Sequence, residues 1–238
     1  MQRLTGQVRK AVDDYKMIED GDRIAVGISG GKDSLALTAA LADLSKYYTK
    51  KFEVVGLTLD MGYKADYSKI EEFCKNLGVE YKVKYTQIKE IVFDERKESN
   101  PCSLCSKMRR GALNEFAIEN GCNKVALGHH MDDVLETFFL SLLYEGRLHT
   151  FSPVTHLTRT GIYQIRPLIY IHEYEIKAMV RDCDIPVVKS LCPVDGLTKR
   201  ADMKEIIDML DEKSGKGLRK RLFHAIGGLE DWKIMRNA

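Results

Sequence analysis

The chain has 238 residues, of which 44% are hydrophobic and 30% charged, and its formal net charge at pH 7 is +2. This composition is typical of a globular protein with a sizeable core. No apolar run is long enough to cross a membrane, and the amphipathic start MQRLTGQVRKAVDDYK lacks the apolar segment and cleavage site of a secretory signal. We therefore expect a cytoplasmic protein that makes no membrane contact.

Short β-branched apolar runs alternate with segments of helical periodicity over the first 145 residues. The predicted strands span residues 23–28, 53–60, 79–85 and 123–129. After an N-terminal helix, the predicted helices span residues 33–46, 66–77 and 104–120, and a further helix begins near residue 132. This alternation predicts an α/β fold in which a parallel sheet carries helices on both faces. Ligands of such sheets bind at the carboxyl ends of the strands.

The pattern changes after residue 145, where a hairpin-like stretch at 152–168 precedes a predicted helix at 172–183. Two more helices are predicted near 201–213 and 216–226. We therefore predict three parts in the chain. They are an N-terminal helix over 1–20, an α/β domain over 21–190 and a C-terminal helical appendage over 191–238.

The stretch IAVGISGGKDSLALTAAL carries the strongest functional signal, because a buried strand leads through a glycine-rich loop into a helix. Glycines let backbone amides approach an anion, and the helix N-terminus adds unpaired N–H groups and a positive dipole end. The spacing differs from a Walker A loop, and an acidic residue follows the lysine. An ordinary turn that caps a helix is the alternative. We predict a phosphate-binding loop formed by Ser29, Gly30, Gly31, Lys32, Asp33 and Ser34.

The chain has six cysteines, and two of them form the sequence Cys-Ser-Leu-Cys at 102–105. A structural zinc site usually has four ligands, and there is no second C-x-x-C pair. Apolar neighbours explain Cys74, Cys122 and Cys183 as packing residues, whereas Cys192 lies in a loop. With Cys192 as a third ligand, Cys102 and Cys105 would suit an iron–sulfur cluster in which one iron has no protein ligand. Spacing alone leaves zinc and a persulfide as alternatives.

An acidic pair, Asp132 and Asp133, follows the sequence Gly-His-His at the end of the fourth predicted strand. Acidic residues stabilise a helix N-terminus, so a capping role would explain the pair. The strand order nevertheless places both residues at the sheet edge that holds the phosphate loop. A carboxylate at this edge could bind Mg²⁺ or act as an acid or base.

The loop SGGKDS resembles that of the PP-loop ATP pyrophosphatases, which activate a carbonyl by adenylation and release AMP and pyrophosphate. This resemblance implies a five-stranded parallel sheet of the adenine nucleotide alpha hydrolase-like type, Mg²⁺ and ATP. It also implies that Asp60, at the end of the second strand, and Gly128 lie beside the nucleotide.

The ordered motifs SGGKDS, CSLC-x-x-x-RRG, ALGHH-x-DD-x-L-x-T and IRPL, with the later loop cysteine, resemble the TtcA-type tRNA 2-thiocytidine synthetases over nearly the whole chain. The resemblance implies a sulfurtransferase that adenylates the C2 carbonyl of a cytidine, expected at tRNA position 32, and inserts sulfur. It makes Cys102, Cys105 and Cys192 the ligands of a catalytic [4Fe-4S] cluster and Asp132 an active-site residue. The expected RNA contacts are basic residues, namely Arg109, Arg110, Lys216, Arg219, Lys220 and Arg221.

The implied partners are tRNA, a sulfur donor such as a cysteine desulfurase or free sulfide, and a second copy in a homodimer. Synthesis of 2-thiouridine by a related cluster or persulfide mechanism is one alternative. A PP-loop ligase or amidotransferase acting on a small molecule is a second. A non-catalytic RNA-binding or redox-sensing module is a third, although the intact Lys32, Asp33 and Ser34 argue against it.

Overall fold

The computed structural model describes residues 1–96, 101–188, 191–192, 199–215, 217–229 and 232. Its strands are β1 Asp22–Gly27, β2 Phe52–Asp60, β3 Glu80–Tyr85, β4 Lys124–Ala126, β5 Val154–Leu157 and β6 Ile162–Ile165. Its helices are α1 Gln2–Asp14, α2 Lys32–Leu44, α3 Ser68–Leu77, α4 Pro101–Glu119, α5 Met131–Glu145, α6 Glu173–Asp182, α7 Lys199–Ser214 and α8 Leu218–Ile226. A π-helical segment, Glu90–Glu95, precedes α4. No helix in these described ranges is long and apolar enough to cross a membrane.

The strands form one sheet in the order β3-β2-β1-β4-β6-β5. All neighbours pair in parallel except β5, which lies antiparallel to β6 at the edge. The predicted α/β fold is thus confirmed, with a sixth strand beyond the five expected. The extra strand exists because the hairpin predicted at 152–168 joins the sheet through β6.

The two faces of the sheet are covered by different helices, as the alternating side chains of β1 show. Ile24 and Val26 point into the larger core, together with residues of α1, α2 and α5. Ala25 points to the opposite face, where it packs with Phe116 and Ala117 of α4. Strands buried on both faces explain the nearly continuous apolar runs in the sequence. The parallel arrangement also brings the carboxyl ends of β1, β2 and β4 to one edge.

The C-terminal helices pack onto this larger core, to which Ile207 of α7, Ile226 of α8 and Trp232 contribute. The division of the chain at residues 20 and 190 stays a prediction. Cys74 and Cys122 are buried as expected, but Cys183 is exposed. The packing role predicted for Cys183 is therefore wrong, because it lies just after the end of α6, on the solvent side.

Candidate functional site

The loop between β1 and α2 has the conformation of an anion-binding turn. Gly30 has φ +82°, a left-handed backbone that favours glycine. The Ser34 hydroxyl accepts a hydrogen bond from the Ser29 amide at 3.2 Å and donates one to the Gly31 carbonyl at 3.0 Å. These bonds fix the loop across the first turn of α2, where N–H groups without helical partners are available for an anion.

The segment that follows β4 contacts this loop at Gly128. A Cβ atom at Gly128 would lie 3.0 Å from the carbonyl carbon of Asp33 and 3.1 Å from the amide nitrogen of Ser34. A larger residue would therefore push against the backbone of the phosphate loop, and glycine suits this close approach. This contact brings the motif that follows β4 to the phosphate loop.

A cavity of about 470 Å³ lies at this edge of the sheet. Ser29, Asp33 and Ser34 of the phosphate loop line it. Arg109 and Arg110 of α4 line the same cavity. Loop amides, hydroxyls and two guanidinium groups therefore surround one space, which suits a polyphosphate ligand.

Two carboxylates reach the same cavity, and His130 lies between them. Its Nε2 atom is 3.7 Å from Asp33 Oδ1 and 3.4 Å from Asp133 Oδ2. Within the described ranges, the buried Oδ1 atom of Asp33 has no hydrogen-bond partner. Carboxylate oxygens in this arrangement could hold Mg²⁺ beside bound phosphates.

Asp132 is adjacent in sequence but has different partners. One carboxylate oxygen accepts a hydrogen bond from Arg219 at 2.5 Å and the other accepts one from the Glu173 amide at 2.7 Å. Burial favours the neutral acid, but the nearby His172 imidazole, the hydrogen bond from the Glu173 amide and the charge of Arg219 hold the pKa of Asp132 well below its usual range. Asp133 therefore lines the cavity, and Asp132 joins α5 to α6 and α8. A catalytic role for Asp132 stays a prediction.

Two of the three cysteines with a predicted role lie on one helix, and the charge of the third, Cys192, affects the pKa of Cys105. Cys102 and Cys105 occupy successive turns on one side of α4, which begins earlier than predicted. Burial raises the pKa of Cys105, Arg109 lowers it, and the charges of Cys192 and Cys102 raise it further. Arg109 follows Cys105 by about one turn of α4, so these two side chains share one side of the helix. Burial, followed by the charges of Cys192 and Cys105, also raises the pKa of Tyr63.

These thiols do not form a ready-made metal site. Across the described ranges, no three His, Cys, Asp or Glu side chains are gathered closely enough to hold a metal ion. A bound metal would therefore have to draw Cys102, Cys105 and Cys192 closer together.

Asp60 at the end of β2 is fully buried and has its own set of donors. Its carboxylate accepts hydrogen bonds from the amides of Gly62, Lys64 and Ala65 and from the Tyr67 hydroxyl. Burial alone would raise its pKa, but these bonds outweigh burial and lower it. Asp60 thus organises the loop after β2, and a direct contact with the nucleotide stays a prediction.

The basic residues predicted to bind RNA fall into different surroundings. Arg109 and Arg110 line the cavity, whereas Lys220 and Arg221 are exposed on α8. Arg219 is largely buried and pairs with Asp132, Asp208 and Asp211. Lys216 lies outside the described residues.

Known proteins with similar sequences identify the family of this chain. A family model described as a PP-loop domain matches residues 2–191. The tRNA-cytidine(32) 2-sulfurtransferase of Citrifermentans bemidjiense is 36% identical over 95% of this chain and 90% of its own. The chain belongs to this PP-loop family of tRNA-cytidine(32) 2-sulfurtransferases. The corresponding enzyme of Geotalea uraniireducens is 37% identical over 96% of this chain and 92% of its own.

A solved structure has the same fold. The U34-tRNA thiolase NcsA of Methanococcus maripaludis, solved with its [4Fe-4S] cluster, is 24% identical. The match has a TM-score of 0.77 and covers 98% of this chain and 78% of NcsA. This match confirms the expected sheet architecture. The curated relatives confirm the resemblance to the 2-thiocytidine synthetases.

Some residues around the site of this PP-loop family member carry no signal in one sequence. His129 lines the cavity, and burial followed by the charge of Arg166 lowers the pKa of its imidazole to about 4. Arg200 of α7 binds Asp133, Glu136 and Thr137 of α5. The sequence shows the Gly-His-His motif and the basic start of α7, but only the packing of α7 on α5 shows how they are related.

Proposed function

We propose that this protein thiolates the cytidine at tRNA position 32, using ATP to activate the C2 carbonyl. The carbonyl oxygen attacks the α-phosphorus of ATP, the bond between the α and β phosphates breaks, and pyrophosphate leaves. Sulfide then adds at C2 and the carbon–oxygen bond breaks with AMP as the leaving group. Adenylation is needed because the carbonyl oxygen by itself is a poor leaving group.

Residues of the cavity have separate tasks in this reaction. The amides and hydroxyls of Ser29 to Ser34 bind the phosphates of ATP, and Lys32 supplies a positive charge. Asp33 and Asp133 hold Mg²⁺, for which the buried Asp33 oxygen without a donor in the described ranges is suited. Asp60 keeps the neighbouring loop in place for the nucleotide. The target base has to leave its stack to enter such a site.

A [4Fe-4S] cluster fits the donor set of Cys102, Cys105 and Cys192, because three thiolates leave one iron without a protein ligand. A cluster bound there supplies an iron that holds sulfide for transfer. Arg109 lines the nucleotide cavity and follows Cys105 by about one turn of α4. It therefore links the place where sulfur is held to the place where the carbonyl is activated.

The partners follow from this chemistry. The exposed Lys220 and Arg221 bind tRNA phosphates, which makes the affinity fall steeply with salt. Lys216 contributes to the same contact. A cysteine desulfurase or free sulfide supplies the sulfur, and the enzyme acts as a homodimer in the cytoplasm, where tRNA is modified.

One observation carries the proposal: phosphate-loop residues and Arg109 line a single cavity, and Arg109 lies about one helical turn after Cys105 on α4. ATP activation and sulfur delivery can therefore occur at one place.

Mass spectrometry of tRNA nucleosides from a strain lacking the protein tests this function. We expect 2-thiocytidine to disappear and to return with the wild-type gene, but not with Cys192→Ala. The Cys183→Ala variant is the matched control, since Cys183 is an exposed cysteine that is not among the predicted cluster ligands. An unchanged nucleoside profile refutes the proposal. Loss of 2-thiouridine instead would identify uridine as the substrate.

Purification without oxygen tests the cluster separately. We expect about four irons in each wild-type and Cys183→Ala chain, and none in Cys192→Ala, which still binds ATP. A colourless and fully active wild-type protein would favour a persulfide on a cysteine.

A further inference from the structure

Glu173, the first residue of α6, has its carboxylate surrounded by lysine ammonium groups. Lys32 lies 3.1 Å and Lys177 3.2 Å from Oε1, and Lys204 lies 2.6 Å from Oε2. Burial favours the neutral acid, but the hydrogen bonds from Lys204 and Lys32 outweigh it and lower the pKa of Glu173 to about 2. Glu173 is therefore a permanent anion beside the phosphate loop.

Lys32 has two anionic partners, and they belong to different parts of the fold. Asp33, at 2.8 Å, is its neighbour in the loop and moves with it. Glu173 reaches Lys32 from α6, an element separate from the loop. Lysine has a long and flexible side chain, so a partner on a second element restricts its position more than the adjacent residue can.

Glu173 is itself firmly held. Its backbone amide donates a hydrogen bond to the buried Asp132 at 2.7 Å. Its side chain is tied to α7 through Lys204. A carboxylate fixed at both its backbone and its side chain can act as a rigid support for a neighbouring ammonium group.

We propose that Glu173 is a positioning residue, which holds the ammonium group of Lys32 in place for the charge that develops when ATP is cleaved. The proposal rests on the proposed function, because it deepens the adenylation step. Glu173 acts through Lys32 and not on the substrate. Preorganised charge lowers the barrier of the chemical step more than it tightens binding. Loss of Glu173 should therefore affect kcat more than ATP affinity.

Glu173→Gln removes the charge while keeping the shape of the side chain. With tRNA present, we expect kcat for AMP release to fall by about tenfold, while the dissociation constant of ATP stays within about threefold. Glu175→Gln is the matched control, because Glu175 lies in the same helical turn but pairs with Arg3 of α1 at 3.0 Å. A wild-type kcat in Glu173→Gln would refute the role.

A double variant separates positioning from a merely structural effect. In a Lys32→Met background, Glu173→Gln should cause no further loss of kcat, because the group it positions is already gone. If the losses of kcat caused by the two single changes multiply in the double variant, Glu173 acts independently of Lys32. Melting temperatures of all the variants verify that each one is folded.

A second measurement does not depend on thiolation. In protein labelled with ¹⁵N-lysine, the Lys32 ammonium signal is assigned by its loss in Lys32→Met. We expect that signal to shift and broaden in Glu173→Gln and to stay unchanged in Glu175→Gln. An unaltered Lys32 signal in Glu173→Gln overturns the inference whether or not the enzyme thiolates tRNA. A wild-type enzyme that fails to thiolate would contradict only the proposed function.

Discussion

Arg219 of α8 donates a hydrogen bond at 2.5 Å to Oδ1 of Asp132, the second residue of α5. Only 17% of the arginine side chain and 10% of the aspartate side chain are exposed. Because the other oxygen of Asp132 binds the Glu173 amide, the pair connects the two helices to α6. The sequence suggests catalysis for Asp132 and RNA binding for Arg219, whereas the geometry makes them partners of each other.

Replacing Arg219 should therefore destabilise the protein. Arg219→Met leaves the carboxylate of Asp132 buried without its main positive partner, which should cost about 3 kcal/mol of unfolding free energy. Urea denaturation measures this loss. The exposed neighbour Lys220 is the control: Lys220→Met should keep wild-type stability and weaken tRNA binding. Wild-type stability in Arg219→Met, with weaker tRNA binding, would instead support the RNA contact.

The sequence predicts the frame of the molecule well. Strands β1 to β4 and the helices between them appear as changes of periodicity, and the glycine loop marks where ATP chemistry belongs. The antiparallel edge strand is harder to predict, because β5 and β6 are short and their pairing depends on the position of β4.

Side-chain roles at the site are less accessible to sequence reasoning. Asp132 and Asp133 are adjacent on a helix, so they point about 100° apart. Which of them reaches the cavity is decided by how α7 and α8 pack on α5. Glu173 and Arg200 likewise gain their partners only through tertiary contacts. Periodicity carries no information about such contacts between distant segments.

The buried Glu136 makes stability depend on pH. Burial and the charge of Asp133 raise its pKa to about 7 from the ordinary value of 4.5. The folded state thus binds a proton more tightly than the unfolded chain. The stabilisation from this proton is complete below pH 4.5 and is lost as pH rises through 7.

A neutral replacement should remove this dependence. We expect Glu136→Gln to be more stable than the wild type by about 2–3 kcal/mol at pH 8 and equally stable at pH 4. Glu145→Gln, an exposed change at the end of the same helix, should show no such pH-dependent gain. Chemical denaturation at the two pH values measures the difference. Equal effects of Glu136→Gln at both values would contradict the raised pKa.

The contact at Gly128 predicts a defect in nucleotide binding. In Gly128→Ala the new methyl group meets the backbone of Asp33 and Ser34, so the phosphate loop has to move. We expect a loss of about 1–3 kcal/mol in stability and a marked fall in ATP affinity, measured by denaturation and calorimetry. Gly111→Ala is the matched control, because a Cβ there meets nothing within 4 Å. In the helix α4 that change should stabilise the protein by up to about 1 kcal/mol.

Replacing Arg110 would show whether this residue binds the nucleotide or the RNA. Because Arg110 lines the same cavity as Ser29 and Ser34, we expect it to contact the phosphates of ATP. We expect Arg110→Gln to weaken ATP binding by about tenfold, since a charge-assisted hydrogen bond is lost, while tRNA affinity is kept. The exposed Lys107 on the same helix is the control, and Lys107→Gln should leave ATP binding unchanged. If Arg110 instead binds tRNA, its loss will leave ATP affinity intact and reduce the salt dependence of tRNA binding by a slope of about 1.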